Sequence, residues 1–187
     1  LHQNIKTNRS YVFLIDRSAS MYYDFSIAKH VMDLFLQLLP KDCSFDIFEF
    51  DHEFAPLFGK LVEYNETTLV KALDYVRSLE TDMGRTYIFR PLQLILQNYH
   101  PDNLIILTDG GCIHQDHIID YCSQFQTRIS TIGLGDAEEN EHFLQRLASI
   151  TGGTSEFVDN FHDLKGSVTR SLEATLNGFY ITSIQSN

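Results

Sequence analysis

Five oxygen-bearing side chains in three separate segments are the residues of this sequence best suited to chemistry. Asp16 ends one apolar run and is followed at two-residue steps by Ser18 and Ser20, Thr86 lies in a second segment, and Asp109 ends another apolar run. Hard oxygen donors of this kind suit Mg²⁺, Mn²⁺ or Ca²⁺, whereas zinc prefers nitrogen and sulfur. The spacing therefore predicts a site for a hard divalent cation.

The way in which the two carboxylates hold the ion decides what such a site does. If Asp16 and Asp109 both bind directly, their charges formally neutralise a divalent cation. If they act through water, with Ser18, Ser20 and Thr86 as neutral direct ligands, the ion keeps much of its electrophilicity and attracts a carboxylate from another molecule. The second arrangement describes an adhesion device, and the first a structural ion.

These segments need strands that end at one edge of a sheet. Continuous apolarity in Tyr11–Asp16 and Leu104–Asp109 is typical of strands buried on both faces of a parallel sheet. In open α/β sheets, ligands bind beyond the carboxyl ends of the strands, where the strand order reverses. We therefore predict an α/β fold with an open, doubly wound, mostly parallel six-stranded sheet, helices on both faces, and the site at that edge.

The apolar periodicity places the other elements. Strands are predicted at Tyr11–Asp16, Ser44–Asp51, Glu53–Phe58, Leu104–Asp109, Ile129–Leu134 and Ser155–Val158. Pro56 marks the third of these as a short antiparallel edge strand. Helices are predicted between Ile27 and Leu38, after an N-cap at Asn65, and over Thr86–Tyr99, Ile118–Phe125, Phe143–Ile150 and Phe161–Leu176.

Length and charge narrow the class of protein. The 187 residues suggest one domain over 11–177, with an N-terminal extension over 1–10 and a tail over 178–187 that starts a further segment of a larger multidomain chain. The net charge of −11 argues against nucleic acid or an anionic membrane as partner. Three cysteines are too few for a disulfide framework, so we expect reduced thiols, which favour the cytoplasm.

The five site residues and the order of the elements carry a family resemblance. The sequence resembles the von Willebrand factor type A (vWA) domain, whose metal-ion-dependent adhesion site (MIDAS) has the form Asp-x-Ser-x-Ser, a separate Thr and a later Asp. The resemblance implies the strand order 3-2-1-4-5-6, with Ser18, Ser20 and Thr86 binding the metal directly and Asp16 and Asp109 through water. It is strongest to the branch in inter-alpha-trypsin inhibitor heavy chains and vault poly(ADP-ribose) polymerase.

Three positions depart from the family pattern without removing a ligand. Ala19 stands where Gly is usual and restricts the loop if that position needs a positive φ. Arg85 replaces a common second Gly and places a cation near the ion. Gly111-Cys112 follows where an acidic residue is frequent.

The sequence also contains residue types that occur in zinc sites and in phosphatases. Cys112, His114, His117 and Cys122 are zinc-binding residue types, but their spacing favours core thiols and surface histidines. A phosphatase with an Asp16 nucleophile needs an acid/base partner, commonly two positions later, where Ser18 stands. The residues close in sequence to the candidate ligands are interpreted either as core residues or as an aromatic rim around the metal; they are Tyr22, Tyr23, Tyr87, Ile88 and Phe89.

Three functions remain in order of support. The first is an adhesion-type protein-interaction module that binds an Asp or Glu of a partner protein through Mg²⁺, Mn²⁺ or Ca²⁺, with no catalytic role. The second is a metal-independent scaffold that docks domains or subunits of a larger assembly. The third, a remote alternative, is a Mg²⁺-dependent phosphohydrolase.

Overall fold

A seven-stranded sheet forms the centre of the computed structural model, which describes residues 8–81, 84–135, 140–158, 166, 168–171 and 173–174. The strands are β1 (Ser10–Asp16), β2 (Ser44–Phe50), β3 (Phe54–Pro56), β4 (Val62–Glu63), β5 (Asn103–Thr108), β6 (Arg128–Leu134) and β7 (Ser155–Val158). Their spatial order is β3-β2-β1-β5-β6-β7, and β4 also pairs with β2. The pairings of β3 and β4 with β2 are antiparallel, and the others are parallel.

Strand β1 explains why continuous apolarity marks a central strand. Tyr11, Phe13 and Ile15 face one half of the core, and Val12 and Leu14 face the other. Successive side chains of a strand point to opposite faces of the sheet, so burial on both faces requires every position to be apolar. This confirms the predicted doubly wound α/β architecture.

Helices cover both faces of the sheet. They are α1 (Phe25–Leu38), α2 (Glu66–Ser78), α3 (Phe89–Leu94), α4 (Gln115–Cys122) and α5 (Glu141–Ile150), with a 3₁₀ turn at Ala19–Tyr22 and a π-helical turn at Ile95–Tyr99 that continues α3. The core cluster on one face includes α1 and α2, and the cluster on the other includes α3, α4 and α5. No helix among the described residues has the length and apolarity needed to cross a bilayer.

The order in which the chain connects the strands determines where along the sheet the candidate site lies. The chain moves outward from β1 to β2 and returns to β5, which pairs with β1 on its other side. The strand order therefore reverses between β1 and β5, and the carboxyl ends of both strands, at Asp16 and Thr108, flank the crevice where α/β proteins bind ligands.

Two predictions about the elements need correction. In the described part of the chain the sheet has seven strands, because the two-residue strand β4 adds a second antiparallel pairing to β2. The predicted spatial order is otherwise confirmed, since β5 to β7 correspond to predicted strands four to six. The helix predicted from Thr86 begins instead at Phe89, because the preceding residues make backbone contacts with two other loops.

The C-terminal prediction is tested in part. Residues 166, 168–171 and 173–174 are helical, and Val168 and Ser171 are fully buried. The rest of the helix predicted at Phe161–Leu176, the tail over 178–187 and residues 1–7 of the N-terminal extension lie outside the described residues.

Candidate metal site

Asp16 lies at the end of β1 with no exposed surface. Its Oδ1 accepts a hydrogen bond of 2.9 Å from the Ser18 amide, and its Oδ2 accepts one of 2.6 Å from the Thr108 hydroxyl. Burial raises the pKa of Asp16 to about 6, although these donors lower it in part. The two hydrogen bonds fix the carboxylate in one orientation at the edge of the sheet.

Ser18 and Ser20 bring two hydroxyl oxygens together beside this carboxylate. The Ser18 and Ser20 Oγ atoms are 3.1 Å apart. Adjacent ligands of an octahedral Mg²⁺ ion with bonds of 2.0–2.1 Å are about 2.9 Å apart, so this separation suits two neighbouring direct ligands. Ser18 is buried and Ser20 is exposed, so the pair extends from the interior to the surface.

The loop that carries Thr86 is held beside the serine loop by backbone hydrogen bonds. The Ala19 amide donates to the Gly84 carbonyl at 3.2 Å, and the Tyr87 amide donates to the Asp51 carbonyl at 2.8 Å. A Cβ atom on Gly84 would lie 2.4 Å from His52 Nδ1, so the close approach needs a glycine or a displaced imidazole. Thr86 is half-buried between these two anchors.

Asp109 follows β5 and is half-buried. Its Oδ1 accepts a hydrogen bond of 2.9 Å from the Gly111 amide. Its charge is one cause of the raised pKa of Asp16, so the two carboxylates are close enough to repel each other. Directly after Asp109, Gly110 has φ +79°, and a Cβ there would meet Asn140 Cβ at 2.7 Å, so this turn requires glycine.

The departures from the family pattern leave the donor set intact. The described non-glycine residues with positive φ are His100 and His114, so the expected conflict at Ala19 does not arise. Ala19 instead begins the 3₁₀ turn. Arg17, inside the motif, forms ion pairs with Glu49 and with Asp51, the latter at 3.9 Å.

The donors fit a hard cation and do not fit zinc bound by cysteine. Burial, with Asp16 and Asp109 adding to it, raises the pKa of the Cys112 thiol to about 12, which disfavours the thiolate that zinc binds. In the described part of the chain, no three His, Cys, Asp or Glu side chains are grouped for metal binding. The zinc cluster considered around Cys112 and Cys122 is therefore not formed. The candidate site at Asp16 has three hydroxyls and only two carboxylates, so it does not form a group of three His, Cys, Asp or Glu side chains.

Thr108 is a candidate site residue that the sequence analysis missed. Its hydroxyl donates to Asp16 and accepts a hydrogen bond of 2.9 Å from the Gly110 amide, so it links the two carboxylate loops. A threonine at the end of an otherwise apolar strand, directly before Asp109, was the available signal.

The rim of the site exposes large apolar side chains. Tyr22, Tyr23, Tyr87 and Ile113 are all exposed in the segments that follow β1, precede α3 and follow β5, and the rings of Tyr22 and Tyr23 pack edge to face at 5.2 Å. Ile88 is buried, so the core interpretation is correct there.

The sequence matches a family model and long relatives. The model of the von Willebrand factor type A domain matches residues 10–157. Human von Willebrand factor A domain-containing protein 5A is 29% identical over 190 residues, which cover 93% of this chain and 24% of that protein. A von Willebrand factor A domain-containing protein of Dictyostelium discoideum is 31% identical over 164 residues, 84% of this chain and 20% of that protein. The chain therefore spans a quarter or less of these relatives.

Solved structures share the fold. An aerotolerance-related membrane protein from Bacteroides fragilis has a TM-score of 0.73 at 14% identity, covering 90% of this chain and 99% of that one. Proximal thread matrix protein 1 from the mussel byssus, described with a zinc-occupied MIDAS motif, has a TM-score of 0.68 at 19% identity, covering 90% of this chain and 45% of that one. The narrower branch stays a prediction. The match over most of the length and the shared fold show that the chain belongs to the von Willebrand factor type A domain family, whose members generally act as protein-interaction modules.

Proposed function

We propose that this chain is a protein-interaction module that binds an Asp or Glu side chain of a partner protein through a divalent cation. Ser18, Ser20 and Thr86 would be direct ligands of the ion, and Asp16 and Asp109 would act through water. Mg²⁺ is the expected ion, with Mn²⁺ or Ca²⁺ as substitutes for the same oxygen donors. When bound, the ion supplies an electrophilic centre that a carboxylate can bind.

The observation that carries the proposal is the pair of serine hydroxyls beside the buried Asp16. An ionisable carboxylate with no exposed surface is costly to place at the end of a central strand, and the two hydroxyls, 3.1 Å apart, lie next to it. A cation that takes their lone pairs would offset that cost. The zinc-occupied MIDAS motif in the mussel byssus protein supports metal binding within the family.

Different residues of this chain would orient the carboxylates, bind the ion and contact the partner. Thr108 and the Ser18 amide orient the Asp16 carboxylate, and the Gly111 amide orients Asp109. Three neutral hydroxyl ligands leave the charge of the ion largely unneutralised, which favours an anionic ligand from outside. The exposed tyrosines of the rim supply rigid contact area around that ligand.

The same site supports binding better than catalysis. A phosphatase with an aspartyl nucleophile needs an acid/base group near that aspartate, and the residue two positions after Asp16 is Ser18. Among the described residues, the Ser18 hydroxyl contacts the Ser20 hydroxyl and no histidine that would activate it. We therefore propose a module without catalytic activity.

The domain limits are part of the proposal. We propose one vWA domain over 11–177 that functions within a larger multidomain protein, because the relatives are several times longer than this chain.

Calorimetric titration with MgCl₂ and MnCl₂ tests metal binding. The wild type should show saturable binding, and Asp16→Asn and Thr86→Ala should lose it while keeping the same circular dichroism spectrum. Asp120→Ala and Thr67→Ala are matched controls, because Asp120 and Thr67 are exposed on helices α4 and α2. Equal binding by all five proteins, or none by the wild type, would refute the site.

A partner pull-down separates this function from the metal-independent scaffold. Recovery that falls in EDTA and in Thr86→Ala supports the metal-dependent mechanism. Recovery that is unchanged by both would favour a scaffold that docks through helix and edge-strand surfaces.

A further inference from the structure

An apolar cavity of about 200 Å³ adjoins the candidate metal site. Thr86 and Cys112 line its side towards that site, and Ile88 and Ile118 are buried lining residues. Ile113, which also lines the cavity, is 67% exposed. We refer to this space as the Ile113 cavity. Because Thr86 belongs both to the cavity and to the proposed ligand set, a molecule bound at the metal would meet the cavity directly.

The size of the Ile113 cavity indicates what fits. An apolar protein cavity of about 150 Å³ accommodates benzene, whereas sites for drug-sized ligands span about 300–1,000 Å³. The Ile113 cavity is therefore large enough for one aliphatic or aromatic side chain and too small for a nucleotide or similar cofactor. Its apolar lining favours a side chain without charge.

The charge of the rim indicates what surrounds that side chain. None of the described residues that line the cavity is acidic, although the chain carries a net charge of −11. Arg90, His114 and His117 are all exposed and line the cavity. The His117 ring packs on the Phe89 ring at 4.9 Å, which holds one wall in place. Arg90 is the charged side chain among the described lining residues, so a partner segment with acidic residues is complementary to this rim, whereas the net charge of −11 repels such a segment from the molecule as a whole.

We propose that the Ile113 cavity receives an apolar side chain of the same partner segment whose Asp or Glu binds the metal. The partner is then an acidic peptide segment with Leu, Met, Ile or Phe within about three residues of the metal-binding carboxylate. This inference rests on the proposed function, because the carboxylate anchors the segment beside Thr86. The metal selects for an acid, and the cavity selects among acidic segments.

The energetic consequence is measurable. Full burial of an aliphatic or aromatic side chain is worth about tenfold to hundredfold in affinity. A segment with only the carboxylate therefore binds at least about tenfold more weakly than one with both features. Ile113→Asp removes apolar contact area and puts a negative charge on the rim, so it removes this advantage and leaves the metal ligands in place.

An array of synthetic nonapeptides tests the inference. Each peptide carries a central Glu or its Gln control, and each flanking position is varied through all residue types. The array is probed with the 187-residue chain in MgCl₂ and in EDTA, as wild type, Ile113→Asp and Ile150→Asp. Ile150 is the matched control, because it is an isoleucine 55% exposed at the end of helix α5. Calorimetry with MgCl₂ checks that all three proteins keep the metal site.

The outcomes separate this inference from the proposed function. Magnesium-dependent selection of Glu with an apolar neighbour, lost in Ile113→Asp and kept in Ile150→Asp, supports the cavity as the specificity site. Selection of Glu with no apolar preference, or a preference that Ile113→Asp keeps, overturns the cavity and leaves the metal-dependent function standing. No difference between Glu and Gln peptides, or between MgCl₂ and EDTA, overturns the proposed function and this inference with it.

Discussion

Asp16 combines complete burial with a charge, and two donors, the Ser18 amide and the Thr108 hydroxyl, compensate that charge in part. Its pKa is raised from 3.8 to about 6, with burial as the largest cause. The carboxylate that best prepares the site for a cation is therefore one that opposes folding in the absence of the cation. Such conflicts between stability and function are expected at binding sites.

The pH dependence of stability provides a test of this conflict at Asp16. Its folded-state pKa lies above the unfolded value, so its stabilising contribution is complete below about pH 3.8 and is lost as the pH rises through about 6. In EDTA, the wild type should therefore lose about 2 kcal/mol of unfolding free energy relative to Asp16→Asn between pH 4.5 and pH 7. Urea unfolding at both pH values measures it. Parallel profiles would show that Asp16 titrates as an ordinary carboxyl group.

Thr108 should act on the metal through Asp16. Thr108→Val keeps the shape of the side chain and removes the hydroxyl that donates to Asp16 Oδ2. Loss of a hydrogen bond that orients a metal-binding group commonly costs about 10–100-fold in metal affinity. We therefore expect Mg²⁺ affinity to fall by at least about tenfold, measured by calorimetry.

Thr131→Val is the matched control for Thr108. Thr131 is also buried, lies on the neighbouring strand β6, and donates to Ser155 Oγ at 2.8 Å. Both variants should lose about 1–2 kcal/mol of stability, because each loses a buried hydrogen bond. An equal loss of Mg²⁺ affinity in both would attribute the Thr108 effect to general destabilisation.

Among the elements, those whose burial is determined by their own residues could be predicted from the sequence. The run at Tyr11–Asp16 is apolar at every position and is found as the doubly buried strand β1. The predicted N-cap is also confirmed, since Asn65 Oδ1 accepts from the Thr68 amide and the Thr68 hydroxyl accepts from the Asn65 amide, both at 3.0 Å. In each case the signal and the contact lie within a few residues.

Elements that depend on distant contacts were missed. Strand β4 has two residues and exists through its pairing with Ser44 and Phe45 of β2, which no local pattern reveals. Residues 84–88 stay outside helix α3 because Ala19 and Asp51 hold the backbone of Gly84 and Tyr87. For the site, residue types predicted the five candidate donors, while the role of Thr108 depends on the juxtaposition of β1 and β5.

The end of the π-helical turn stores a small amount of strain. His100 ends that turn with φ 45° and ψ 52°, in the left-handed region that favours glycine. His100→Gly should therefore raise the free energy of unfolding by about 0.5–1 kcal/mol, measured by urea denaturation. His30→Gly makes the same change inside helix α1 and should lower it by about 1 kcal/mol. A loss of stability in both would show that His100 makes contacts worth more than the strain.

At the scale of the whole molecule, the net charge of −11 gives divalent cations two ways to act. They screen the repulsion among all acidic residues, and they bind at a specific site. The two effects differ in their dependence on Asp16, because it is one of 25 acidic residues and contributes little to the total charge. Screening should therefore survive replacement of Asp16, whereas specific binding should not.

Thermal unfolding distinguishes these contributions. A ligand at 100 times its dissociation constant stabilises the folded state by about 2.7 kcal/mol, which raises the Tm of a domain of this size by about 5–10 °C. Relative to NaCl of equal ionic strength, MgCl₂ at that concentration should produce this shift in the wild type and in Asp120→Ala, and not in Asp16→Asn. The exposed Asp120 makes the first variant a control for loss of one negative charge. Equal shifts in all three proteins would mean that Mg²⁺ acts on the acidic surface as a whole, and the cation site proposed at Asp16 would then have no thermodynamic support.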